Sequence, residues 1–374
     1  MTLENFRNLH LTPEVERIAA VLSAAGESHR LTEAEALTLL REAPLALLGT
    51  WAAARKRAVS GDAVYYNRNI HIEPTNICVF RCRFCSYRRP AGDAEAWYHD
   101  LDAVERLAAE RRGEPITEVH IVGGVHPDHD LDYYCEMIRR VKRQLPQVVV
   151  KAYTAVELHY IISRAGLSLS EGLRRLQAAG MEAIPGGGAE IFDPEIRERI
   201  CPEKPTADEW LATHEAAHGL GLSTNCTILY GHIETYEHRI DHLRRLRELQ
   251  DRTGGFDAFI PLKYRSRHNE MTAAGEVSLP EDMRMMAIAR LYLDNIPHIK
   301  AYWPMLGIEA TELALSFGAD DIDGTIDDTT KIYSMAGAEV QRPRLSTERM
   351  QQLVRSAGFS PVERDTFYRP VSRG

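Results

Sequence analysis

Short apolar runs rich in β-branched residues alternate with longer segments of helical periodicity after Gly61. The runs predict eight β-strands, at Asn69–Glu73, Glu118–Val122, Val148–Tyr153, Glu182–Pro185, Thr224–Tyr230, Phe256–Leu262, His298–Tyr302 and Asp320–Gly324. Between them the pattern predicts helices at Leu101–Arg112, Tyr133–Leu145, Ser170–Ala179, Ala207–Leu220, Glu237–Thr253 and Pro280–Leu293. Eight parallel β-α units close a TIM-type (β/α)8 barrel, whereas six would leave a partial β/α barrel. Both architectures are compatible with the pattern.

The first 60 residues are predicted to be helical. Thr12 and Pro13 begin one helix, and the segment from Thr32 to Glu35 resembles a capping box that begins a second. A third helix is predicted from Pro44 to Val59. This region is interpreted as an N-terminal helical segment, residues 1–60, that precedes the barrel.

The chain after Lys331 is predicted to form a short C-terminal extension. It contains one helix near Ser346–Ala357, with Gly358 in the position that commonly ends a helix. Residues Pro361–Tyr368 follow as a strand or an arm. The barrel is therefore assigned to residues 61–330 and the extension to residues 331–374.

Composition and charge exclude several functional classes. The 374 residues are 44% hydrophobic and 26% charged, which is typical of a globular protein. A net charge of −9 does not favour binding to nucleic acid or to an anionic membrane. No apolar run approaches the ~20 residues that span a bilayer, and the N-terminus lacks the features of a signal peptide. We therefore expect a cytoplasmic protein, and structural disulfides are rare in that compartment.

Three of the six cysteines lie within eight residues, at Cys78, Cys82 and Cys85. The others are interpreted as isolated core thiols: Cys135, Cys201 and Cys226. A structural zinc site usually takes four protein ligands, often in paired C-x2-C motifs, and no second pair follows here. Three thiolates on a tight loop instead favour a cubane iron–sulfur cluster in which one iron has no cysteine ligand.

The C-x3-C-x2-C motif with Phe84 before its last cysteine resembles the motif of the radical S-adenosylmethionine (SAM) superfamily. The resemblance implies a [4Fe–4S] cluster on the three cysteines and SAM bound to the open iron. One electron, from reduced flavodoxin or ferredoxin, would then cleave SAM to methionine and a 5′-deoxyadenosyl radical.

Two glycine motifs lie at predicted strand ends, where barrel enzymes place their active sites. Gly123 and Gly124 leave their backbone accessible to a ligand, and the resemblance implies that they bind the amino group of SAM. A tight turn is the alternative. Glu190 follows the run Gly186–Gly188, and is a candidate acceptor for ribose hydroxyls or a surface acid that begins a helix. The run lacks the Gly-Lys-Ser/Thr of a P-loop, which excludes a triphosphate site of that kind.

Further candidates come from the same edge of the barrel. His71 is interpreted as a substrate or ribose contact, with a hydrogen-bonded core imidazole as the alternative, and His126 lies near the active face. The cations Lys263, Arg265 and Arg267 follow the sixth strand, and either bind an anionic substrate or form a solvated face. The remaining cofactor-binding candidates are Phe84, Tyr87 and Asn225.

Six strings in a fixed order resemble the aminofutalosine synthase family of the futalosine route to menaquinone. They are His71–Cys78, Cys85–Tyr87, Val122–Pro127, Lys151–Leu158, Ile184–Glu190 and Leu229–Glu234. The dehypoxanthine futalosine cyclase and the deazaflavin synthase share the cluster and glycine motifs, and both remain alternatives. A non-catalytic iron–sulfur protein would not need a barrel of ~270 residues.

The resemblance implies an unusual use of the adenosyl radical. The radical would add to the enol-ether double bond of 3-[(1-carboxyvinyl)oxy]benzoate, and rearrangement with loss of a carboxyl group would give 6-amino-6-deoxyfutalosine. SAM is then a consumed co-substrate and the enzyme a transferase. The two carboxylates of this small-molecule substrate need cationic partners, which makes Lys263, Arg265 and Arg267 the candidates.

Overall fold

The computed structural model describes residues 10–25, 29–326, 335–337 and 344–372. In this part of the chain the strands are β1 Ala63–Tyr66, β2 Asn69–Ile72, β3 Glu118–Ile121, β4 Val149–Ala152, β5 Ala183–Ile184, β6 Ser223–Tyr230, β7 Phe256–Lys263, β8 His298–Ala301, β9 Asp321–Ile322 and β10 Ser360–Glu363. All of them belong to one sheet in the order β10-β1-β9-β8-β7-β6-β5-β4-β3-β2, and neighbouring strands pair in parallel.

The helices surround this sheet. They are α1 Pro13–Ala25, α2 Glu33–Glu42, α3 Leu45–Ser60, α4 Leu101–Ala109, α5 Leu131–Gln144, α6 Ala155–Arg164, α7 Leu169–Ala179, α8 Pro194–Ile200, α9 Ala207–His218, α10 Tyr236–Thr253, α11 Leu279–Tyr292, α12 Trp303–Leu306, α13 Ile308–Leu315 and α14 Thr347–Ser356. A short 3-10 turn lies at Thr272–Ala274. Helices α2 and α3 pack outside α10 and α11. No helix in the described residues is both long and apolar enough to span a bilayer.

The strands β2 to β9 are the eight predicted barrel strands, and hydrogen bonds join the two edges of this set. The N–H of His71 donates to the carbonyl of Ile326 (3.2 Å). The Asn69 side-chain oxygen accepts from the N–H of Ile326 (2.8 Å), and the Thr325 hydroxyl donates to the Asn69 carbonyl (2.8 Å). The barrel therefore closes through the segment after β9 rather than through a regular ladder.

Two strands extend the sheet beyond the barrel. Strand β1 was not predicted, because its four residues are followed within two positions by the stronger pattern of β2. It pairs with β9 and with β10, which overlaps the first three residues of the predicted C-terminal strand or arm. The extension thus adds to the barrel sheet. The predicted division at residues 330–331 lies outside the described residues, and the three-part domain assignment stays a prediction.

Most predicted helices are present, with ends shifted by a few residues. The capping box of Thr32 and Glu35 is confirmed at α2, and the Ser346 hydroxyl accepts from the N–H of Arg349 at α14. Helices α6, α8, α12 and α13 were missed. Helix α6 is buried on several sides, so its sequence lacks the polar face that marks a surface helix.

Gly324 occupies the closure of the barrel. A Cβ atom there would lie 2.2 Å from the Asn67 carbonyl oxygen and 2.5 Å from the Asn69 side-chain oxygen. Asn69 is held in place, since it forms the closing hydrogen bonds. The two edges of the barrel can meet only where residue 324 has no side chain.

We predict that Gly324→Ala lowers the free energy of unfolding by about 2–3 kcal/mol, because overpacking at a rigid junction forces backbone shifts. Chemical denaturation measures this change. Gly219→Ala is the matched control, since Gly219 has a helical φ of −62° and its Cβ would meet atoms no closer than 3.5 Å. Equal stability of the two variants would contradict the closure described above.

Candidate active site

The three clustered cysteines lie on the loop that follows β2, and this loop is held on two sides. The N–H of Cys78 donates to the Arg89 carbonyl (3.2 Å), and the N–H of Val79 donates to the Val125 carbonyl (3.0 Å). The Asn76 side chain accepts from the N–H of Trp97 (2.8 Å) and donates to the Glu95 carbonyl (3.0 Å). The loop is therefore fixed between the end of β3 and the segment at residues 95–97.

The glycine pair after β3 makes this packing possible. A Cβ on Gly124 would lie 2.3 Å from the Ile77 carbonyl oxygen, and one on Gly123 would lie 2.9 Å from the Thr75 carbonyl oxygen. The N–H of Gly124 donates to Thr75 (2.7 Å). Neither glycine has a positive φ, so steric room rather than turn geometry requires glycine here. The glycine pair thus brings the cluster loop onto the end of β3.

The environment of the three thiols fits a three-cysteine cluster. Burial raises the pKa of the Cys78 and Cys85 thiols and raises that of Cys82 further. Backbone hydrogen bonds lower the pKa of Cys78 and Cys85, and so does the nearby Lys204 ammonium. Such groups stabilise thiolates. Among the described residues no three His, Cys, Asp or Glu side chains gather around one metal ion. A cubane places each thiolate on a separate iron, so the donor set suits a cluster.

Glu190 lies buried beside this loop, at 7% exposure, and the surface-acid interpretation is wrong. Its carboxylate pairs with the Lys204 ammonium (2.5 Å). Its backbone is held in the left-handed region (φ 52°), which costs of order 1–3 kcal/mol in a non-glycine residue. The Arg197 guanidinium donates to the carbonyls of Ala189 (2.7 Å) and Ile191 (3.1 Å) on either side. Arg197 and Lys204 therefore fix the backbone and the carboxylate of Glu190.

The other cofactor-binding candidates lie close to these groups. The Phe84 ring is half-buried, with the Lys204 nitrogen 5.2 Å from its centroid. The Tyr87 hydroxyl donates to the Thr75 carbonyl (2.9 Å), so Tyr87 braces the cluster loop. Asn225 is buried on β6, where its backbone would lie 2.7 Å from a Cβ on Gly186. Their contact with a cofactor stays a prediction.

His71 lies in the barrel lumen, one residue before β2 ends. Its Nε2 is 3.1 Å from Nδ1 of His120, and burial lowers the pKa of both imidazoles. The Lys300 ammonium pairs with the Asp323 carboxylate (2.9 Å) in the same region, and both charges act on His71. These side chains form the lumen floor, defined as His71, His120, Lys300 and Asp323. His71 is thus a buried imidazole that lines the floor of the site.

The three predicted cations after β7 differ in their surroundings. Lys263 is buried and paired with Asp282 (2.7 Å). Arg265 is mostly buried and pairs with Glu276 (3.3 Å), while its Nε has no hydrogen-bond partner among the described residues. Arg267 is exposed. Arg265 therefore has the surroundings of an internal anion partner, whereas Lys263 has a structural ion pair.

His126 lies after the glycine pair, at the same end of the barrel. It is half-buried, and its ring stacks on His129 with centroids 4.2 Å apart. Its Nδ1 accepts from the N–H of Asp128 (3.2 Å). Burial lowers its pKa, so the imidazole is neutral at physiological pH. The structure thus holds His126 in a stack of rings beside the site.

Comparison with known proteins defines the family. The family model of the radical SAM superfamily matches residues 72–246, and that of the CofH/MqnC C-terminal region matches residues 253–373. An aminodeoxyfutalosine synthase of Streptomyces coelicolor is 41% identical over 91% of this chain and 90% of its own length. One of Thermus thermophilus is 40% identical over 99% of this chain and 98% of its own length. The chain belongs to the radical SAM superfamily.

Other relatives of this radical SAM enzyme have different names. A cyclic dehypoxanthine futalosine synthase of Streptomyces coelicolor is 40% identical over 93% of this chain and 87% of its own length. Among solved structures, methylornithine synthase covers 90% of this chain with 95% of its own, at a TM-score of 0.72 and 16% identity. That likeness confirms the fold, a parallel TIM-type β/α barrel.

The superfamily uses a [4Fe–4S] cluster and SAM, and Cys78, Cys82 and Cys85 match its cysteine motif. The remaining cysteines are buried and free, as expected for core thiols. Cys201 differs from Cys135 and Cys226, because its thiol lies close enough to Lys204 and Cys82 to raise the pKa of both groups.

Several charged residues of the site, among them Glu157 and Lys204, were not singled out from the sequence. Glu157 belongs to a capping box with Thr154 at the start of α6, and its carboxylate also accepts from the N–H of Gly123 (3.3 Å). Thr-x-x-Glu directly after a strand was a local signal that could have found it. Lys204 had no such signal, because its partner Glu190 comes from a separate loop.

Glu157 has an unusual proton affinity. Burial raises its pKa to about 7, although hydrogen bonds from Thr154 and Gly123 act against that rise. Because the folded-state pKa lies above the ordinary value of 4.5, protonation stabilises the fold at low pH. That stabilisation is lost as the pH rises through about 7.

We predict that the free energy of unfolding of the wild type, relative to Glu157→Gln, falls by about 3 kcal/mol between pH 5 and pH 8, and that its melting temperature falls accordingly. Glu209→Gln is the matched control, since Glu209 occupies the same capping-box position with Thr206 and hydrogen bonds lower its pKa. The difference in melting temperature between Glu209→Gln and the wild type should stay constant from pH 6 to pH 8. Calorimetry at several pH values measures both differences, and a flat Glu157 profile would contradict the raised pKa.

Proposed function

We propose that this enzyme is an aminodeoxyfutalosine synthase of menaquinone biosynthesis. It would transfer the 5′-deoxyadenosyl group of SAM to 3-[(1-carboxyvinyl)oxy]benzoate to form 6-amino-6-deoxyfutalosine. The likeness to two aminodeoxyfutalosine synthases over nearly the full length carries the proposal. The site supports it, because the three cysteines, the glycine pair and Glu190 lie around one end of the barrel.

The residues around the cluster have distinct roles in this proposal. Cys78, Cys82 and Cys85 hold the cluster, which supplies one-electron cleavage of SAM when both are bound. Gly123 and Gly124 offer backbone groups to the amino group of SAM, and Glu157 adds a carboxylate there. Glu190 accepts from the ribose hydroxyls, since Lys204 and Arg197 keep it in place. Together they orient the adenosyl group toward the lumen, and orientation is the main contribution of protein to radical chemistry.

The substrate carboxylates need cationic partners. Arg265 is suited to one of them because it is mostly buried at the end of β7 and its Nε is available among the described residues. Glu276 now pairs with it and would yield to a ligand that binds bidentately. Arg267 is exposed and would bind at the mouth of the site. His71 and His126 contribute neutral imidazoles to the floor and the rim.

The partner and the compartment are part of the same proposal. A reduced flavodoxin or ferredoxin would supply the electron, and it would approach the cluster loop, where Arg81 and Arg83 are exposed on either side of Cys82. We place the enzyme in the cytoplasm, where these carriers are reduced. The net charge of −9 makes nucleic acid an unsuitable partner.

The second candidate function is that of the cyclic dehypoxanthine futalosine synthases, whose sequences are nearly as similar. The two activities differ in the fate of the adenosyl group. In the synthase a new carbon–carbon bond joins it to the substrate, whereas in the cyclase it leaves as free 5′-deoxyadenosine. The products therefore separate the candidates where the fold does not.

We predict that label in the ribose of SAM appears in the product when reduced, cluster-loaded enzyme turns over 3-[(1-carboxyvinyl)oxy]benzoate. The reason is that the radical carbon bonds to an alkene held within about 3–3.5 Å. Mass spectrometry of the anaerobic reaction measures the label. A parallel reaction with dehypoxanthine futalosine is the control. Release of all label as free 5′-deoxyadenosine with the first substrate, and turnover of the second, would assign the cyclase activity instead.

A further inference from the structure

The C-terminal segment after β10 enters the amino-terminal opening of the barrel. The Thr366 hydroxyl donates to Glu118, the first residue of β3 (2.9 Å). The Tyr368 ring stacks on His298, the first residue of β8, with centroids 3.7 Å apart. Arg364 pairs with Asp321, the first residue of β9 (2.7 Å). The segment therefore contacts three strands at the end opposite the cluster loop.

Arg364 begins a line of alternating charges that leads up the lumen. Its guanidinium donates to both carboxylate oxygens of Asp321, at 2.7 and 3.3 Å. The Lys300 ammonium lies 3.5 Å from Asp321 and 2.9 Å from Asp323. All four side chains are buried, with Asp323 the most exposed at 5%. Two cations balance two carboxylates, so each charge holds its neighbour in place.

The last member of this line lies at the active end of the barrel. Asp323 follows β9, and its charge acts on His71 and His120 of the lumen floor. One carboxylate oxygen accepts from Lys300, and the other, Oδ2, has no hydrogen-bond partner among the described residues. A buried carboxylate oxygen is rarely left without a donor, so Oδ2 is available to a ligand or a water molecule at the floor.

We propose that Arg364 is a positioning residue, which keeps Lys300 on Asp323 and so holds the Asp323 carboxylate at the floor of the active site. It acts by neutralising Asp321, which would otherwise attract Lys300. The inference rests on the proposed function only for the identity of the molecules above the floor. It gives the C-terminal extension a part in the reaction, although the extension lies on the far side of the barrel.

Removal of the Arg364 guanidinium is expected to change which carboxylate Lys300 contacts. In Arg364→Met, Asp321 keeps the neutral Tyr368 hydroxyl (2.6 Å) but has lost its guanidinium partner. Lys300 then faces two carboxylates, so it moves toward Asp321 and leaves Asp323. In the double variant Asp321→Asn with Arg364→Met, the competing charge is gone, and Lys300 stays on Asp323. If Arg364 had a merely structural role, the double variant would be the more impaired of the two, because it loses more contacts than the single variant.

The test combines crystal structures of the two variants with the ratio of coupled product to free 5′-deoxyadenosine. We expect the Lys300–Asp323 contact to be lost in Arg364→Met and regained in the double variant. The ratio should fall about tenfold in the single variant and recover most of that loss in the double one, as for coupled neighbours. Arg369→Met is the control, since Arg369 is exposed in the same segment and its guanidinium pairs with Asp365, four residues away.

Two results would overturn the inference. One is a Lys300–Asp323 contact that persists in Arg364→Met, and the other is a double variant that is coupled no better than the single one. If Arg364→Met does not fold, Arg364→Lys keeps the charge and decides the question, because it should retain both the contact and the coupling. The crystallographic comparison needs no substrate. A wild type that forms no adenosylated product would therefore refute the proposed function without deciding the role of Arg364.

Discussion

The active end of this enzyme depends on a contact between two backbones that leaves no room for a side chain. The cluster loop at residues 75–77 rests directly on Gly123 and Gly124, and the carbonyl of Ile77 occupies the space of a Cβ at position 124. This contact places the three cysteines over the ends of β2 and β3. The same glycine pair meets the Glu157 carboxylate through the N–H of Gly123, so the cluster loop, the glycine pair and the buried acid form one rigid unit.

The lumen of the barrel is polar where many barrels have apolar layers. Buried charges of this kind are tolerated only when each has a partner, and loss of one partner leaves an uncompensated charge. Here the partners come from distant parts of the chain, since Arg364 of the extension neutralises Asp321 at the base of β9. The buried charges therefore connect the C-terminal extension at one end of the barrel with the lumen floor at the other. The closed junction at Gly324 adds to this rigidity, because it fixes β2 against the end of β9.

Most of the eight barrel strands could be predicted because they are short apolar runs between turn residues, whereas the segment of β9 carries three aspartates around Ile322. Strand β1 and helix α6 could not, since the first is followed after two residues by the stronger pattern of β2 and the second is buried on several sides. In the site, the cysteines and glycines were recognisable from fixed local spacing. Lys204, Lys300 and Asp323 were not, because their roles arise from partners that only the folded barrel brings near. Strand alternation would have placed Lys300 in the lumen, but it carries no information about which acid it meets.

If the backbone contact at Gly124 places the cluster, a Gly124→Ala variant should lose the cluster. Its added carbon would lie 2.3 Å from the Ile77 carbonyl oxygen, so the cluster loop must move. The measurement is the electron paramagnetic resonance signal and iron content of the anaerobically reconstituted, reduced variant, after circular dichroism has shown that it is folded. We expect a folded protein that has lost most of its cluster signal. A folded variant with wild-type iron content and an unchanged signal would contradict it.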